Sequence, residues 1–574
     1  MNSLSPALVT QAAVRRLPRT GLLLLCLAYV LPGFWGREPW KSADMRAYGF
    51  MWELAQGNSM WLTPTLAGSV PAADGLLPYW LGAGMLALTQ TLGLTQAAWA
   101  TRLPFVLLAL LALAGTWYAV YGLARMPQAQ PVAFAFGGEA EPKDYARAVA
   151  DAGVLALLAS LGLAQLVHEA TPATAQLACT ALAFAGAAGL QRRRSKAAGV
   201  LLLGLCGLAV SGAPVMGLLL GLGTALILAQ GARMNTAQGH NPDAMAGTLP
   251  TPTSVVLACT VLAAVLSSGL GQWAWRMQPL VVEWQHLSGM GRLLLWFTWP
   301  AGPLMVWTLW HWRARWRSPH LALPLWFIAV ALAAAVTTSG AERSLLLGLP
   351  AVAALAAFAL PTLKRSVSAL IDWFTLLFFS IGALTIWVVW IAMQTGFPPQ
   401  PAANVARLAP GFVPTFSWTA TALALTASLA WVGLVRWRVG RHQAALWKSL
   451  VLPAGGAALA WLLLMTLWLP LLDYARSSTA LVSRIQALTA YQPGCLAVLT
   501  ENESLIAALR TEGQLQVEVL PLPGPGNSAV PVARCPWLLV EAVTPVHSAA
   551  WQWHAEAYSP NRADQVLLYR AALP

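Results

Sequence analysis

The sequence predicts an all-α, polytopic membrane protein with about thirteen transmembrane helices, followed by a small C-terminal α/β domain. Only 10% of the 574 residues are charged and 58% are hydrophobic, whereas about a quarter of the residues of a soluble domain are charged. The hydrophobic residues form long uninterrupted blocks as far as residue 473, and charged residues return after it. We therefore expect a membrane domain over residues 1–473 and a domain outside the membrane over residues 474–574.

The net charge of +13 does not indicate a nucleic-acid partner. The basic residues stand in short clusters between hydrophobic blocks, as in the run 192–196. Cytoplasmic loops of membrane proteins carry such an excess of Lys and Arg, where anionic headgroups are the neighbours. Membrane lipids are therefore the expected partners of these charges, and no nucleic acid is expected.

The first hydrophobic segment, residues 21–30, follows Arg15, Arg16 and Arg19. A basic start and a hydrophobic core are typical of a signal peptide, but no clear small-x-small cleavage site follows. We expect an uncleaved first helix with a cytoplasmic N-terminus. The loop 36–100 then lies on the periplasmic side, with helices over 44–56 and 76–94 lying in the interface. The alternative, in which 76–94 crosses the bilayer, would reverse all later topology.

Later spans are predicted from the hydrophobic blocks. The stretch 198–229 is long for one span, which needs about 20 residues, and Ser211-Gly212-Ala213-Pro214 marks a turn in its middle. We therefore expect two short spans there. The other spans are expected near 103–123, 149–167, 174–190, 252–271, 292–310, 320–338, 345–361, 370–394, 416–435 and 450–472.

The distribution of cations supports two spans in 198–229. With two, nine cations of the later loops fall inside: Arg313, Arg315, Arg317, Lys364, Arg365, Arg436, Arg438, Arg441 and Lys448. Four fall outside: Arg276, Arg292, Arg343 and Arg407. One span would invert this ratio, against the positive-inside rule. The C-terminal domain is therefore expected on the periplasmic side.

Residues 474–574 alternate short strand and helix patterns. Strands are expected over 495–499, 516–519, 537–540 and 566–569, with a helix over 504–512. Cys495 and Cys535 are the two cysteines outside hydrophobic blocks. In an oxidising periplasm they are expected to form a disulfide; the alternative is two free buried thiols.

Residues 35–48 concentrate charge in a chain where charge is scarce. This stretch holds two carboxylates, three cations and two tryptophans: Glu38, Asp44, Arg37, Lys41, Arg46, Trp35 and Trp40. Asp44 is the candidate catalytic residue, because a carboxylate at the interface can deprotonate an acceptor. The alternative is a first-turn acid that stabilises a helix.

These residues resemble a motif of the class C, lipid-linked glycosyltransferases, in particular bacterial relatives of the aminoarabinose transferase and the protein O-mannosyltransferases. The family motif Asp-Glu-x-x-Tyr, followed by Trp-[Leu/Ile]-x-Pro, is matched by Asp44, Tyr48 and Trp61-Leu62-Thr63-Pro64. Further matches are Gly68, Tyr79-Trp80-Leu81 and Arg102-Leu103-Pro104. The resemblance implies a GT-C-like fold with thirteen spans and a C-terminal periplasmic domain.

The chain departs from the family pattern at several positions. Met45 replaces the second acidic residue, and Asp74-Gly75-Leu76 replaces Lys-Pro-Pro. The family's Lys-Gly-Pro is Ser211-Gly212-Ala213-Pro214 here, and Arg343 lacks the tyrosine that follows the arginine in the family. These departures from the family motif leave open which donor sugar is used and whether the protein is active.

The resemblance implies transfer of a sugar from a polyprenyl-phosphate donor, in the bacterial inner membrane, to lipid A, another glycolipid or a protein. Asp44 would act as the base, and Glu169 is a second acid in an outer loop, shifted from the family's usual place. Residues predicted to bind donor or phosphate are Lys41, Arg46, Tyr48, Tyr79 and Arg343. The alternative for the cations is contact with lipid headgroups.

No cofactor is named by the sequence, and a divalent metal is the one candidate considered. Glu283 and His286 share a helical face in an outer loop, but a metal site needs more ligands than two. Two other functions stay open: a transporter or flippase of a lipid-linked sugar, and a diverged relative that only binds. A transporter would more often place charges within its spans, whereas here they gather in the first outer loop.

Overall fold

The structure is a computed structural model, and it describes residues 6–72, 75–94, 98–237, 251–273, 284–338, 340–440, 445–489, 495–521, 534–541, 550–560 and 564–571. Side chains are described in these ranges except at 234–237 and 284–287. The chain divides into two compact units. The first comprises Met1–Gly33, Phe105–Ala383 and Leu423–Leu463, and the second comprises Phe34–Pro104, Leu384–Ala422 and Leu464–Pro574.

Helices dominate the described residues. In chain order they are α1 Arg19–Val30, α2 Ala43–Ala55, α3 Leu77–Thr91, α4 Leu103–Ala124, α5 Pro142–Ala159, α6 Leu163–Leu166, α7 Pro172–Gly189, α8 Arg194–Val210, α9 Pro214–Ala237, α10 Pro252–Gly269, α11 Trp284–Thr298, α12 Ala301–His311, α13 Pro319–Thr337, α14 Ala341–Leu346, α15 Leu349–Ala359, α16 Arg365–Thr395, α17 Pro399–Leu408, α18 Trp418–Val439, α19 Lys448–Leu467, α20 Leu469–Arg476, α21 Thr479–Leu488 and α22 Glu503–Thr511. The strands are β1 Thr65–Leu66, β2 Val70–Pro71, β3 Cys495–Leu499, β4 Gln516–Val519, β5 Trp537–Glu541, β6 Trp551–Tyr558 and β7 Gln565–Ala571.

Within the described residues, seven helices are long and apolar enough to cross a membrane. They are Ala98–Ala124, Pro214–Arg233, Pro252–Gly269, Pro319–Thr337, Arg365–Thr395, Trp418–Val439 and Lys448–Leu467. Arg19–Val30 and Leu349–Thr362 are shorter apolar helices. The chain is a multi-pass membrane protein, as predicted, but the count of thirteen spans is not confirmed.

Several predicted spans are divided into two helices. Pro300 lies between α11 and α12, and Pro350 and Pro470 lie in the first turns of α15 and α20. Proline lacks the backbone N–H and disfavours a helical residue before it, so a new helix begins there. The span expected over 149–167 also differs, because α5 ends at Ala159 and α6 begins at Leu163. By contrast, the break expected at Ser211–Pro214 is present between α8 and α9.

The first unit packs helices closely through small residues. Gly204 of α8 faces α7, where an added Cβ would lie 2.4 Å from the backbone nitrogen of Ala183. Helix α15 is buried along its whole length, so it has no polar face. Small residues at helix contacts let backbones approach and are typical of membrane bundles. The core of this unit therefore depends on close backbone packing.

The second unit contains a five-stranded sheet in the order β4-β3-β5-β7-β6. Strands β4, β3 and β5 are parallel, and β5, β7 and β6 are antiparallel. The four strands and the helix expected after residue 494 are present, and β6 is an additional strand. The predicted domain boundary between residues 473 and 474 refers to the membrane and stays a prediction.

Helix α2 is part of this second unit. It packs against α3 and against α22. An added Cβ at Gly49 would lie 2.5 Å from the Ala507 Cβ, so the two helices are in close contact. Helix α3 has 15 residues, or roughly 22 Å, which is short for a span. The interfacial placement of residues 76–94 stays a prediction.

Candidate active site

Asp44 lies in the first turn of α2 and its side chain is only 3% exposed. Its Oδ2 accepts hydrogen bonds from Arg37 Nη2 at 2.9 Å, from the Trp40 backbone N–H at 3.3 Å and from Arg102 Nη2 at 3.5 Å. A buried carboxylate needs such donors, because burial of an unpaired charge is costly. The carboxylate is therefore held between two guanidinium groups.

The two arginines are themselves buried, with side chains 0% exposed at Arg37 and 3% at Arg102. Arg102 also donates to the backbone carbonyl of Arg37. The Arg37 guanidinium lies 4.5 Å from the centre of the Trp40 ring, a cation–π distance. Two positive charges and one negative charge are thus fixed at the start of α2. Negative charge on a bound phosphate would be stabilised here.

Trp40 is held by the segment around the end of α20. Its indole Nε1 donates to Asp473 Oδ1 at 2.7 Å, and the guanidinium of Arg476 lies 5.0 Å from its ring centre. The backbone N–H of Lys41 donates to the Arg476 carbonyl at 3.0 Å. Through Trp40, residues far along the chain therefore fix the orientation of Arg37 and the position of Asp44.

Two acids of the second unit have strongly raised pKa values. Burial, together with the nearby carboxylate of Glu38, raises the pKa of Asp473 to about 7 against the lowering effect of the Trp40 hydrogen bond. Burial and Glu38 likewise raise the pKa of Glu512 to about 8. Perturbed acids of this kind are common at functional sites. Burial also raises the pKa of Tyr48 to about 12, with Glu512 adding to the effect and Arg102 opposing it.

The other predicted ligands of the second unit lie in different surroundings. Lys41 forms an ion pair with Asp564, and Arg46 forms one with Glu503. Tyr79 is fully buried and its ring lies 5.1 Å from that of Phe50. Lys41 and Arg46 are therefore held by carboxylates of the C-terminal region, and the Tyr79 ring belongs to the packing of α2 on α3.

Glu169 and Arg343, both predicted site residues, meet in the first unit. Arg343 Nη2 donates to Glu169 Oε2 at 3.0 Å, and Gln165 Nε2 donates to Oε1 at 3.3 Å. The Glu169 side chain is 6% exposed and that of Arg343 is 38% exposed. The structure thus pairs the second candidate acid with a predicted phosphate ligand.

One group in the described residues has the spacing of metal ligands: Cys495, Glu518 and Cys535. The two cysteines are joined in a disulfide with a Cα–Cα distance of 4.9 Å, so their thiolates are not available to a metal. Of the predicted metal candidates, Glu283 and the side chain of His286 lie outside the described residues.

No protein-family model matches the sequence, and no curated protein matches it. The structure resembles crystal structures of ArnT from Cupriavidus metallidurans, one bound to undecaprenyl phosphate and one in the apo state. In each case the TM-score is 0.58 at 16% identity, over 96% of this chain and 98% of that chain. This chain has the class C glycosyltransferase fold. The match to an oligosaccharyltransferase of Archaeoglobus fulgidus has a TM-score of 0.38 at 11% identity, over 90% of this chain and 61% of that chain.

The resemblance drawn from residues 35–104 is confirmed at the level of the class C fold. The sequence indicated Asp44 as a site residue. It did not indicate that Arg37 and Arg102 contact Asp44, or that Asp473 contacts Trp40. Two of these residues could have been identified from the sequence, because Arg37 lies in the same charged stretch and Arg102 in the matched Arg-Leu-Pro segment. No sequence pattern identifies Asp473, because its contact with Trp40 joins residues 433 positions apart.

Proposed function

We propose that this protein is an inner-membrane glycosyltransferase that moves a sugar from a polyprenyl-phosphate donor to a lipid A-like, glycolipid or protein acceptor on the periplasmic side. The observation that carries the proposal is the buried Arg37–Asp44–Arg102 cluster at the start of α2. It occurs in a fold that resembles ArnT, a protein whose crystal structure contains undecaprenyl phosphate.

In the proposed reaction an acceptor hydroxyl oxygen attacks the anomeric carbon of the donor sugar. The bond from this carbon to the phosphate oxygen breaks, and the electron pair leaves with the polyprenyl phosphate. The hydroxyl proton passes to the Asp44 carboxylate, which acts as general base. Arg37 and Arg102 supply the positive charge that stabilises the departing phosphate, and Lys41, Arg46 and Arg343 remain further candidates for this role.

Burial of Asp44 sets a condition on this reaction. At 3% exposure the carboxylate does not face solvent, so substrate binding must open a path to it. Catalytic hydrogen bonds often reach their final geometry only in the complex with substrate. The three donors to Oδ2 keep the carboxylate oriented until then.

The test compares Asp44→Asn with Asp144→Asn. Both are first-turn aspartates paired with arginine, Asp144 with Arg16 at 3.1 Å. Purified protein is incubated with candidate polyprenyl-phosphate sugars and acceptors, and products are read by mass spectrometry. Asp44→Asn is expected to lower transfer at least roughly a hundredfold, with Asp144→Asn near normal. Near-normal transfer by Asp44→Asn would contradict the role of base and move it to Glu169.

A diverged relative that binds the donor without transferring sugar is the second candidate. Two observations favour it: Met45 stands where the family has a second acid, and Asp44 is buried among cationic partners. Retention of lipid-linked sugar by the wild-type protein, without any product from a panel of acceptors, would support this candidate. Movement of the intact donor across a vesicle membrane would instead indicate a transporter.

A further inference from the structure

The end of α4 in the first unit carries a cluster of cations around Tyr121. Arg125 directly follows α4, and its backbone N–H donates to the Tyr121 carbonyl at 3.1 Å, so it continues the last helical turn. The Arg192 guanidinium, from the turn between α7 and α8, lies 5.4 Å from the centre of the Tyr121 ring. Arg125 and Arg147 of α5 also interact electrostatically with Tyr121. We refer to Tyr121, Arg125, Arg147 and Arg192 as the Tyr121 patch.

Close helix packing brings these residues together. An added Cβ at Gly122 of α4 would lie 2.9 Å from the Ala188 carbonyl oxygen of α7. One at Gly153 of α5 would lie 2.8 Å from Val120 Cγ2 of α4. Glycine at such contacts lets helix backbones approach each other. The end of α4 is therefore held against both α5 and α7, the helices from which Arg147 and Arg192 reach Tyr121.

An aromatic neighbour fixes the orientation of the Tyr121 ring. The Trp117 ring stacks on it, with ring centres 5.2 Å apart and an interplanar angle of 6°. The Trp117 Nε1 donates to Asp151 Oδ1 at 2.8 Å, and Asp151 is 8% exposed. A buried carboxylate of α5 thus anchors the two stacked rings. The patch is a defined surface with a fixed ring at its centre.

Carboxylates lie beside only one cation of the patch. Arg147 Nη1 lies 3.7 Å from Asp144 Oδ1, and Asp151 also interacts with Arg147 electrostatically. Within the described ranges, Arg125 and Arg192 form no ion pair with a carboxylate. Arg125 is half-buried and Arg192 is exposed. Two guanidinium groups are therefore open to an anionic ligand, and guanidinium binds phosphate with charge-assisted hydrogen bonds.

An apolar stripe on α4 runs up to this patch. Leu107, Leu111 and Tyr118 are 68%, 38% and 63% exposed. They stand at positions i, i+4 and i+11, and Arg125 stands at i+18, so the helical period places all four on one face. This helix is part of Ala98–Ala124, which is long and apolar enough to cross a membrane. A ligand that uses the whole face has an apolar chain and an anionic end.

We propose that the Tyr121 patch binds one anionic phospholipid of the adjoining leaflet. The lipid phosphate contacts Arg125 and Arg192, and an acyl chain lies along the stripe formed by Leu107, Leu111 and Tyr118. Such a site binds one lipid in a fixed position, whereas clusters of exposed cations attract anionic headgroups without fixing any of them. The proposal concerns binding and does not depend on the transfer reaction.

The first test uses native mass spectrometry of the full-length protein in detergent micelles, titrated with phosphatidylglycerol. Arg125→Gln and Arg192→Gln are each expected to weaken binding of the first lipid roughly tenfold, since a charge-assisted hydrogen bond is lost. The matched control is Arg193→Gln, which removes the same charge from the next residue, also exposed. The control should bind within about twofold of the wild type. Equal weakening by Arg192→Gln and Arg193→Gln would overturn the proposal, because it would show attraction by the cluster as a whole.

The choice of ligand separates a lipid site from other anion sites. Phosphatidylcholine should bind at least several-fold more weakly than phosphatidylglycerol, because its headgroup has no net charge. Glycerol phosphate, the soluble part of the headgroup, should not displace phosphatidylglycerol at equal concentration, because it lacks the acyl chains. Equal binding of the two lipids would overturn the role of the cations. Displacement by glycerol phosphate would overturn the role of the stripe and indicate a site for a soluble anion.

Thermal unfolding in nanodiscs gives an independent measurement. Addition of phosphatidylglycerol to phosphatidylcholine nanodiscs should raise the unfolding temperature of the wild type and of Arg193→Gln, because a ligand of the folded state stabilises it. The double variant Arg125→Gln with Arg192→Gln should unfold at the wild-type temperature in phosphatidylcholine alone and show no rise with phosphatidylglycerol. A rise equal to that of the wild type would contradict a lipid site at the Tyr121 patch.

Discussion

At the scale of single residues, Asp44 and Glu169 are both buried acids held by arginine, but their surroundings differ. Asp44 contacts two arginines that are themselves buried, whereas the arginine on Glu169 is 38% exposed. Breaking a buried pair is strongly destabilising, while a partly exposed pair contributes little. Loss of the Asp44 carboxylate would therefore leave two buried cations unpaired, whereas loss of Glu169 would leave one partly exposed cation.

Asp473 and Glu512 lead to a prediction for pH. Both pKa values are raised in the folded protein, to about 7 and about 8, while in the unfolded chain they are about 4. The folded state then binds more protons than the unfolded state between these limits, so the free energy of unfolding falls as pH rises from about 4 to about 8. In thermal unfolding at a series of pH values, Asp473→Asn with Glu512→Gln should show a shallower fall than the wild type. An unchanged slope would contradict the raised pKa values.

At the scale of elements, the contact between α2 and α22 joins the candidate site to the C-terminal region. Gly49 allows this contact, since an added Cβ would lie 2.5 Å from the Ala507 Cβ and 3.2 Å from its Cα. Arg510 and the buried Glu53 add an ion pair at 2.7 Å between the same two helices. The helix that carries Asp44 is therefore positioned by a helix more than four hundred residues away in the chain, as the separation of 457 between Glu53 and Arg510 shows.

Gly49→Ala should destabilise the second unit. The added methyl group overpacks the contact, at a cost of about 1–3 kcal/mol. Gly84→Ala in α3 is the matched control, because no atom lies within 4 Å of its added Cβ. The control should gain about 0.5–1 kcal/mol from helix propensity. Denaturant titration in micelles measures both, and equal effects of the two variants would show that α2 and α22 are not in close contact.

The disulfide between Cys495, the first residue of β3, and Cys535, which precedes β5, gives a second prediction at this scale. Cys495 and Cys535 are separated by 40 residues, and closing such a loop is worth roughly 4 kcal/mol in the loop-entropy model. Replacing both by serine should lower the unfolding temperature, whereas Cys206→Ser, at a free cysteine of α8, should lower it less. Non-reducing mass mapping of membrane-inserted protein should find the pair linked; two free thiols would refute the pairing.

At the scale of the whole molecule, the orientation in the membrane is a prediction from charge. Nine cations against four in alternate loops place the C-terminus in the periplasm. Alkaline phosphatase fused to the C-terminus should be active, and a fluorescent protein that matures only in the cytoplasm should be dark there. The same reporters fused in the loop after α9 should give the opposite pair of results. A fluorescent C-terminal fusion would reverse the assignment.

The sequence by itself determined the membrane class, most helix positions, the C-terminal sheet strands other than β6, and the importance of the stretch around Asp44. These follow from local signals: hydrophobic blocks, turn residues, charge clusters and motif spacing. Only the tertiary structure decided that Arg37 and Arg102 flank Asp44 and that Asp473 holds Trp40. The Arg102–Asp44 and Trp40–Asp473 contacts join residues 58 and 433 positions apart, and no local sequence pattern at one residue indicates its partner. Folding brings these residues together, because a charged group is stably buried only where a partner pairs with it or hydrogen-bonds to it.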